Sequence, residues 1–423
     1  MKTVLLIAYY VPPRTGIATT RIRQLIEGLS EFGWRVRVVT PTFEPIAATL
    51  DPSYTLTPMF DFRKALRKLF GVHNKTAHQQ LGLPVNTYGA PSSLRHRLVD
   101  FAYLITNYPD AQVGWFPYGV SAVRRLLRTE RISAILSSSL PVTCHFIARA
   151  SQRGIPWLAD LRDLWSQNHN LVQGPWRAWS DRALEGFTLS RASALTTVSE
   201  PLAELLRERF PGKSVTSIPN AFDEREWDNI PFETEPKCTL MYAGQFYAGR
   251  RDPTLLLKAV ASLLNNGRIQ PTQLAIDIYG DRAEWLTRLI NEYGLQTIIS
   301  LKGTVSRAEI LAAERRADGL IVFFYDHPSE AGVYTGKLFE YLGARRPILA
   351  IGGPKQSVVD DLLHDTSTGA RYTEIAPLAE TILSLIVAHE RGTPRNLPYS
   401  AVERYSSHHM VHAFAEALDR ISS

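Results

Sequence analysis

The 423-residue sequence is poor in cysteine and has no long hydrophobic run. Its two cysteines, Cys144 and Cys238, are widely separated and show no metal-binding spacing, which argues against disulfides and zinc and favours a reducing compartment. No apolar run reaches the roughly 18 residues that a membrane-spanning helix requires, so a spanning segment is not expected.

The N-terminal segment MKTVLLIAYYVPP has the lysine and apolar run of a signal peptide, but a different reading fits better. The run is short, no cleavage site of small residues follows it, and Pro12 and Pro13 lead directly into an amphipathic pattern. We therefore interpret residues 3–10 as the first strand of a Rossmann-like domain.

Length and composition indicate two globular domains of roughly 200 residues each. The net charge of +6 is uneven: residues 1–230 hold 27 Lys and Arg against 19 Asp and Glu (+8), and residues 231–423 hold 20 against 22 (−2). A basic first half can face phosphate-bearing acceptors or an anionic membrane, or it can be a solvated surface. Similarly, the basic amphipathic segment from Phe62 to Lys75 predicts either a helix at a membrane interface or an ordinary surface helix.

The segment from Tyr325 to Gly353 carries the strongest local pattern. The apolar run Gly319–Phe324 predicts a buried strand, a helix is expected from about Thr335, and Pro347–Gly352 predicts the next strand. The loop between strand and helix would then lie at the carboxyl end of a parallel strand, where open α/β sheets bind ligands.

Five residues near the start of this helix form a candidate nucleotide site. The backbone N–H groups of Tyr334, Thr335 and Gly336 would be free at the helix N-terminus, which suits a phosphate. Lys337 and Glu340 lie three residues apart and share one helical face. Lysine can contact a phosphate, and glutamate can accept hydrogen bonds from two ribose hydroxyls.

The string KLFEYLGARRPILA resembles the donor-site helix of retaining family-4 glycosyltransferases of the GT-B fold, of the type that builds bacterial cell-surface polysaccharides. The resemblance implies that Glu340 holds the nucleotide ribose. The family has a second glutamate eight residues earlier, where this sequence has Gly332, and Glu330 lies nearby but out of register.

The segment from Gly244 to Pro253 resembles the pyrophosphate loop of the same family. The family glycine is followed by one basic residue and, five positions further, by another. Gln245 stands at the first of these positions, Arg250 at the second, and Arg251 adjoins it. The resemblance implies that Gly244, Arg250 and Arg251 bind the donor diphosphate and that a loop ending at Val305 contacts the nucleotide base.

The first half resembles the acceptor side of these enzymes in SSSLP, His145 and ADLRDLW. Where many relatives have a histidine, this sequence has Arg162 or Asp163. The resemblance implies that Asp163 orients the acceptor hydroxyl with His145 and Arg162 as neighbours, although an aspartate after a strand can also cap a helix. Gly16, in the loop after the first strand, would let the backbone approach the donor phosphate or the acceptor.

The resemblance implies an α/β protein of GT-B fold, with two Rossmann-like domains facing each other across a cleft. We expect an acceptor-side domain over residues 1–227, a linker over 228–237 and a donor domain over 238–399. A C-terminal helix over 400–423 is expected to cross back to the first domain.

The expected function is transfer of a hexosyl or N-acetylhexosaminyl group, with retention, from a nucleotide diphosphate sugar to a glycan or lipid-linked acceptor. We expect a UDP-linked rather than GDP-linked substrate, no cofactor, and no metal, since no Asp-x-Asp pair occurs. Nucleic acid is not expected as a partner, and the expected location is cytoplasmic, with peripheral contact to the inner face of the membrane. A sugar-nucleotide epimerase or hydrolase, or a non-catalytic nucleotide-sugar-binding component of a polysaccharide assembly complex, remains an alternative.

Overall fold

Two parallel β-sheets, each in its own unit, form the framework of the chain. The structure, a computed structural model, describes residues 1–14, 16–42, 53–62, 107–168, 174–247, 250–280, 283–393 and 396–423. Residues 1–218 and 411–423 form the first unit, and residues 219–410 form the second. Residues 219–227 and 400–410, which the sequence-based boundaries assign to the first domain, thus lie in the second unit. The predicted basic helix Phe62–Lys75 falls outside the described residues except for Phe62.

The first unit has a parallel sheet that runs β3-β2-β1-β4-β5-β6-β7 within the described ranges. In chain order its strands are Lys2–Ile7 (β1), Trp34–Pro41 (β2), Tyr54–Thr57 (β3), Ala134–Ser139 (β4), Trp157–Leu161 (β5), Ala194–Thr197 (β6) and Ser214–Ser217 (β7). The strands β4, β5 and β6 are buried along their whole length, as expected where helices cover both faces of a parallel sheet.

The described helices of this unit are Ile17–Gly28 (α1), Phe116–Thr129 (α2), Thr143–Ser151 (α3), Pro175–Leu189 (α4) and Glu200–Arg209 (α5). The first helix continues as a 3₁₀ turn through Leu29–Phe32 and stops at Gly33, whose φ of 80° is a left-handed conformation that favours glycine. The left-handed backbone of Gly33 therefore ends this helical segment.

The second unit has a parallel sheet in the order β10-β9-β8-β11-β12-β13 within the described ranges. Its strands are Cys238–Ala243 (β8), Leu274–Tyr279 (β9), Ile299–Gly303 (β10), Gly319–Phe324 (β11), Ile348–Gly352 (β12) and Gly369–Tyr372 (β13). Its helices are Thr254–Asn265 (α6), Glu284–Glu292 (α7), Arg307–Arg316 (α8), Gly336–Ala344 (α9), Val358–Thr366 (α10), Ile375–Glu390 (α11) and Tyr399–Val402 (α12). The strand, helix and strand predicted around the loop 325–335 are thus confirmed.

The last helix, Ser407–Ile421 (α13), starts in the second unit, and from Val411 onward it belongs to the first. None of the helices in the described ranges combines the length and the apolar character needed to cross a membrane.

A buried ion pair joins several elements of the first unit. Arg21 on α1 donates to both carboxylate oxygens of Asp160 on β5, at 3.0 and 3.3 Å. The same carboxylate accepts from the hydroxyls of Ser138 on β4 and Thr196 on β6, at 2.8 and 2.9 Å. Burial alone would raise the pKa of Asp160, but the charge of Arg21 and these hydrogen bonds lower it, so the carboxylate is ionised.

Arg21 also reaches the two chain segments that close this unit. Its guanidinium donates to the backbone oxygen of Ile218 at 2.9 Å. The guanidinium carbon lies 4.7 Å from the centre of the Phe414 ring on α13. One buried cation therefore fixes α1, the strand ends and the C-terminal helix together.

Replacing one partner of this pair should destabilise the protein strongly. We expect Asp160→Asn to lower the free energy of unfolding by about 3–5 kcal/mol, because it leaves the Arg21 charge buried without a counter-ion. Urea unfolding would measure this, with Asp419→Asn as a control, because Asp419 pairs with Lys2 at 2.8 Å on the exposed surface. Equal losses of unfolding free energy in the two variants would show that the buried pair contributes no more to stability than the exposed pair.

Candidate functional site

The second sheet reverses its strand order between β8 and β11, and the loops that follow these two strands leave from the same edge. Ligands of open parallel sheets bind at such a reversal, at the carboxyl ends of the strands. The guanidinium carbon of Arg250, in the loop after β8, lies 5.8 Å from the ring centre of Tyr325, which follows β11. The structure therefore brings the two predicted donor segments together at one sheet edge.

Gly244 follows β8 and permits close packing of two turns. A Cβ atom at Gly244 would lie 2.8 Å from the Tyr242 hydroxyl, and one at Gly280 would lie 2.3 Å from the Gly244 carbonyl oxygen. The Gly244 N–H donates to the backbone oxygen of Tyr279 at 3.0 Å. Gly244 thus contributes space at this edge, while its amide is already occupied.

Two arginines of this loop point to different neighbours. Arg250 is exposed and faces Tyr325. Arg251 donates weakly to the backbone oxygen of Gln245 at 3.5 Å, and its guanidinium lies 4.6 Å from the centre of the Tyr247 ring. Arg251 therefore places its guanidinium beside Gln245, which occupies the position where the family pattern has its first basic residue.

The helix α9 begins without a side-chain cap. Thr335 is its N-cap residue in an extended conformation, and its hydroxyl oxygen is buried with no partner in the described part of the chain. The first-turn amides, including those of Gly336 and Lys337, have no acceptor within the helix. With Tyr334 packed edge-on against Phe339 at 5.3 Å, this helix start presents N–H groups that suit an anion.

Glu340 lies on the first turns of α9 between two cations. Its carboxylate contacts the Lys337 ammonium through Oε1 and accepts from the Arg307 guanidinium through Oε2 at 2.7 Å. Burial opposes its ionisation, but the charge of Lys337, hydrogen bonds from Glu314 and Lys337, and the charge of Arg307 outweigh burial and hold its pKa at about 2. Glu340 is therefore an ionised carboxylate with 13% of its side chain exposed.

Two further glutamates, Glu314 and Glu226, contact the cations that flank Glu340. Glu314 on α8 is fully buried, with Oε1 3.5 Å from the Lys337 ammonium. Burial and the neighbouring Glu340 charge raise its pKa well above the usual range and so favour the protonated form of Glu314. Glu226 accepts from Arg307 at 3.2 Å.

Sequence reasoning identified Lys337 and Glu340 but missed Arg307 and Glu314. A signal for Glu314 exists, because it follows the buried Leu311 by three residues and so falls on the inward face of α8. No comparable signal marks Arg307, since its contact with Glu340 spans 33 residues of sequence.

The predicted base-contacting residue, Val305, is half-buried between β10 and α8. Arg307, two residues further, reaches Glu340 and so links this segment to the start of α9. In the described ranges, no three His, Cys, Asp or Glu side chains cluster in a way that could hold a metal ion.

In the first unit, the strand order reverses between β1 and β4. The loop after β1 contains Gly16, the N-cap residue of α1, with a φ of 123° that few other residues adopt. In the same loop, the Arg14 guanidinium lies 4.5 Å from the ring centre of Tyr9. The predicted site residue Gly16 is thus at the reversal point of the first sheet.

The three predicted acceptor-side residues lie near the carboxyl ends of β4 and β5 in different environments. Asp163 is exposed. Arg162 donates to the backbone oxygens of Ser139 and Leu140, at 2.5 and 3.3 Å, and so ties the end of β5 to the turn after β4. Of the three, only Asp163 is exposed and so available to a hydroxyl group.

His145, on α3, lies in the interior of the first unit. Its Nδ1 is 2.7 Å from the Ser137 hydroxyl, which accepts from the Trp157 indole N–H at 2.7 Å. Burial lowers the pKa of His145 to about 4, so the ring is neutral at pH 7. A fully buried imidazole has no surface with which to contact a substrate in this conformation.

Comparison with known proteins gives a domain match in the first half of the chain and a fold for the whole. A family model described as a glycosyl transferase 4-like domain matches residues 16–221. The chain is similar in structure to sucrose-phosphate synthase from Thermosynechococcus elongatus, with 15% identity and a TM-score of 0.62 over 99% of each chain. No curated protein matches its sequence.

Two further similar structures are of bacterial proteins. A variant of S. aureus TarM in complex with fondaparinux, alpha-GlcNAc-glycerol and UDP has 10% identity and a TM-score of 0.60, over 99% of this chain and 100% of that chain. The pneumococcal O-GlcNAc transferase GtfA, in complex with UDP and GlcNAc, has 9% identity and a TM-score of 0.54 over 99% of each chain. Identities this low show the fold alone, and the predicted GT-B fold class is confirmed. Residues 16–221 of the chain thus carry a domain that matches the glycosyl transferase 4-like family.

Proposed function

We propose that this glycosyltransferase moves a sugar from a nucleotide diphosphate sugar, bound on the second unit, to a glycan or lipid-linked acceptor, with retention of the anomeric configuration. The observation that carries the proposal is Glu340, which Lys337 and Arg307 hold ionised at the strand reversal of the second sheet. An ionised carboxylate at such an edge is suited to accept hydrogen bonds from ribose hydroxyls.

The contacts of Glu340 are compatible with a bound ribose. Each carboxylate oxygen has about two lone-pair sites, and the structure uses Oε1 for Lys337 and Oε2 for Arg307. Both oxygens therefore retain capacity for a hydroxyl while the cations hold the carboxylate in place. Protonated Glu314 supports the same orientation, because it can donate a hydrogen bond to Glu340.

The donor diphosphate would be bound by Arg250, Arg251, Lys337 and the N-terminal amides of α9. Negative charge develops on the leaving nucleoside diphosphate as the glycosidic bond breaks, and cations placed in advance stabilise that transition state. Guanidinium groups suit this role, because their forked donors match phosphate oxygens. These groups supply positive charge without a metal ion, and we propose metal-independent transfer.

The similar structures support the choice of donor and acceptor. TarM was solved with UDP and alpha-GlcNAc-glycerol, and GtfA with UDP and GlcNAc. We propose a UDP-linked hexose or N-acetylhexosamine as donor and cytoplasmic action in cell-envelope polysaccharide synthesis. On the acceptor side, we assign hydroxyl orientation to Asp163, because it is exposed at the end of β5 beside Arg162.

Nucleotide binding should stabilise the protein without added metal. We expect UDP at 100 times its dissociation constant to add about 2.7 kcal/mol to the free energy of unfolding, and GDP and ADP to add less. Glu340→Gln, which keeps the side-chain shape but removes the charge, should weaken UDP binding about tenfold or more, and so should Arg250→Gln. Thermal unfolding in EDTA would measure these effects.

Glu292→Gln is the matched control, because Glu292 is an exposed glutamate on α7 in the same unit. This variant should bind UDP like the unmodified protein. Failure of every nucleotide and nucleotide sugar to shift the unfolding midpoint would overturn the proposed donor site. Binding of UDP-sugar without turnover on any acceptor extract would instead favour a non-catalytic binding component.

The protonation of Glu314 predicts a pH effect on stability. Folding raises the pKa of Glu314, so the native state keeps a proton that the unfolded chain releases above about pH 4.3. The free energy of unfolding should therefore fall by up to about 1.4 kcal/mol per pH unit between about pH 4.3 and the raised pKa. Glu314→Gln removes this titration while keeping a neutral hydrogen-bond donor. Its stability relative to the unmodified protein should therefore rise from pH 5 to pH 8 in urea unfolding. Parallel pH profiles of the two proteins would contradict a protonated Glu314.

Asp163→Asn should separate acceptor chemistry from donor binding. If Asp163 orients the acceptor hydroxyl, the variant should lose about 10²–10⁴-fold in kcat, as expected for removal of a positioned general acid–base group. The dissociation constant for UDP should stay unchanged, because Asp163 lies in the first unit. Transfer at the original rate by this variant would exclude the assigned role.

A further inference from the structure

On helix α4, polar side chains face inward and aromatic side chains face outward, which is the reverse of an ordinary surface helix. Its inward face carries Asp181, Glu185 and Thr188, each no more than 1% exposed. Asp181 pairs with Arg177 at 2.9 Å, and Glu185 accepts from the Ser166 backbone N–H at 3.3 Å. The buried side of this helix therefore carries polar groups in place of a continuous apolar stripe, with Leu189 as its fully buried apolar residue.

The outward face of α4 carries aromatic rings instead. Trp176, Trp179 and Phe187 are 83%, 67% and 60% exposed. Apart from Met1, no other large hydrophobic side chain in the described ranges exceeds 50% exposure. Helical spacing puts the three rings on one side of the helix, and the two indole rings lie 6.2 Å apart. Water disfavours such a stripe, so it indicates an interaction surface.

Cations surround the C-terminal end of this stripe. The Arg149 guanidinium lies 3.6 Å from the centre of the Phe187 ring and 3.5 Å from the Ser190 hydroxyl. Lys213 donates to the backbone oxygen of Ser190 at 3.0 Å, and Arg191 is the next residue. Within the described part of the chain, none of these three cations forms an ion pair with a carboxylate. The end of the stripe therefore carries uncompensated positive charge.

We propose that α4 docks the protein on the surface of an anionic lipid bilayer, with its aromatic rings at the boundary of headgroups and acyl chains. Trp and Phe suit this boundary, because the apolar ring enters the lipid while the indole N–H stays at the polar level. The cations beside Phe187 would contact lipid phosphates. The 15-residue helix is about 22 Å long and would lie flat on the membrane.

Charge favours a bilayer over a second copy of the chain. A lipid headgroup supplies the negative charge that the cations at the end of the stripe lack, whereas the same face of a second copy would bring only further cations and rings. Like charges at such an interface are unfavourable. The docking proposal is independent of the donor chemistry, because all of its residues lie in the first unit.

Sedimentation of the full-length protein with vesicles tests the proposal. We expect binding to vesicles of phosphatidylcholine and phosphatidylglycerol in a 7:3 ratio, and at least tenfold weaker binding to phosphatidylcholine alone. The double variant Trp176→Ala/Trp179→Ala should lower partitioning onto the anionic vesicles at least tenfold. Arg149→Gln/Arg191→Gln should also lower it and reduce its sensitivity to salt.

Leu205→Ala is the control, because Leu205 is a partly exposed apolar residue on α5 in the same unit, and this variant should bind vesicles normally. The thermal unfolding midpoint should be unchanged in the tryptophan variant, since both rings are exposed. Equal vesicle binding by the tryptophan, arginine and unmodified proteins would overturn the proposal. It would also be overturned if no vesicle bound and light scattering showed a dimer that the tryptophan variant lost.

Discussion

The contact between Arg21 and Asp160 is the constraint on which the first unit depends. A guanidinium and a carboxylate that are both almost completely buried must satisfy each other, because either alone would carry a desolvation cost of several kcal/mol. Their additional hydrogen bonds reach Ser138, Thr196 and Ile218. Any shift of α1 relative to the sheet would break this set, so the strand ends that carry Arg162 and Asp163 are held in register with α1.

The second unit uses the same electrostatic rule at the edge of its sheet. Glu340 is mostly buried, and it stays ionised because Lys337 and Arg307 compensate its charge. Glu314 lies deeper, and burial and the Glu340 charge raise its pKa, which favours its protonated form. Two carboxyl groups in one cluster therefore adopt different protonation states, and the difference follows from burial and from the number of cations that each one meets.

The predictions from sequence succeeded where local periodicity determines structure and were incomplete where distant residues meet. The strand Gly319–Phe324 and the helix after Thr335 were predicted, because continuous apolar runs and helix-start residues are local signals. The structure gives different burial to two residues that the family resemblance places together in the acceptor site. His145 has no exposed surface, whereas Asp163, predicted to act beside it, is exposed. Spacing along the chain does not report such differences, because burial depends on which helices cover each strand.

By itself, the sequence determined the two α/β domains, the glycine and arginine loop after β8, and the placement of Lys337 and Glu340 on one helical face. These features follow from side-chain periodicity and from the geometry of helix starts, which act over a few residues. The tertiary structure decided that Arg307 meets Glu340, that Asp160 is the buried partner of Arg21, and that α4 turns its tryptophans outward. Each of these depends on contacts between residues far apart in sequence, whose charges and apolar surfaces are matched only after the sheets have formed.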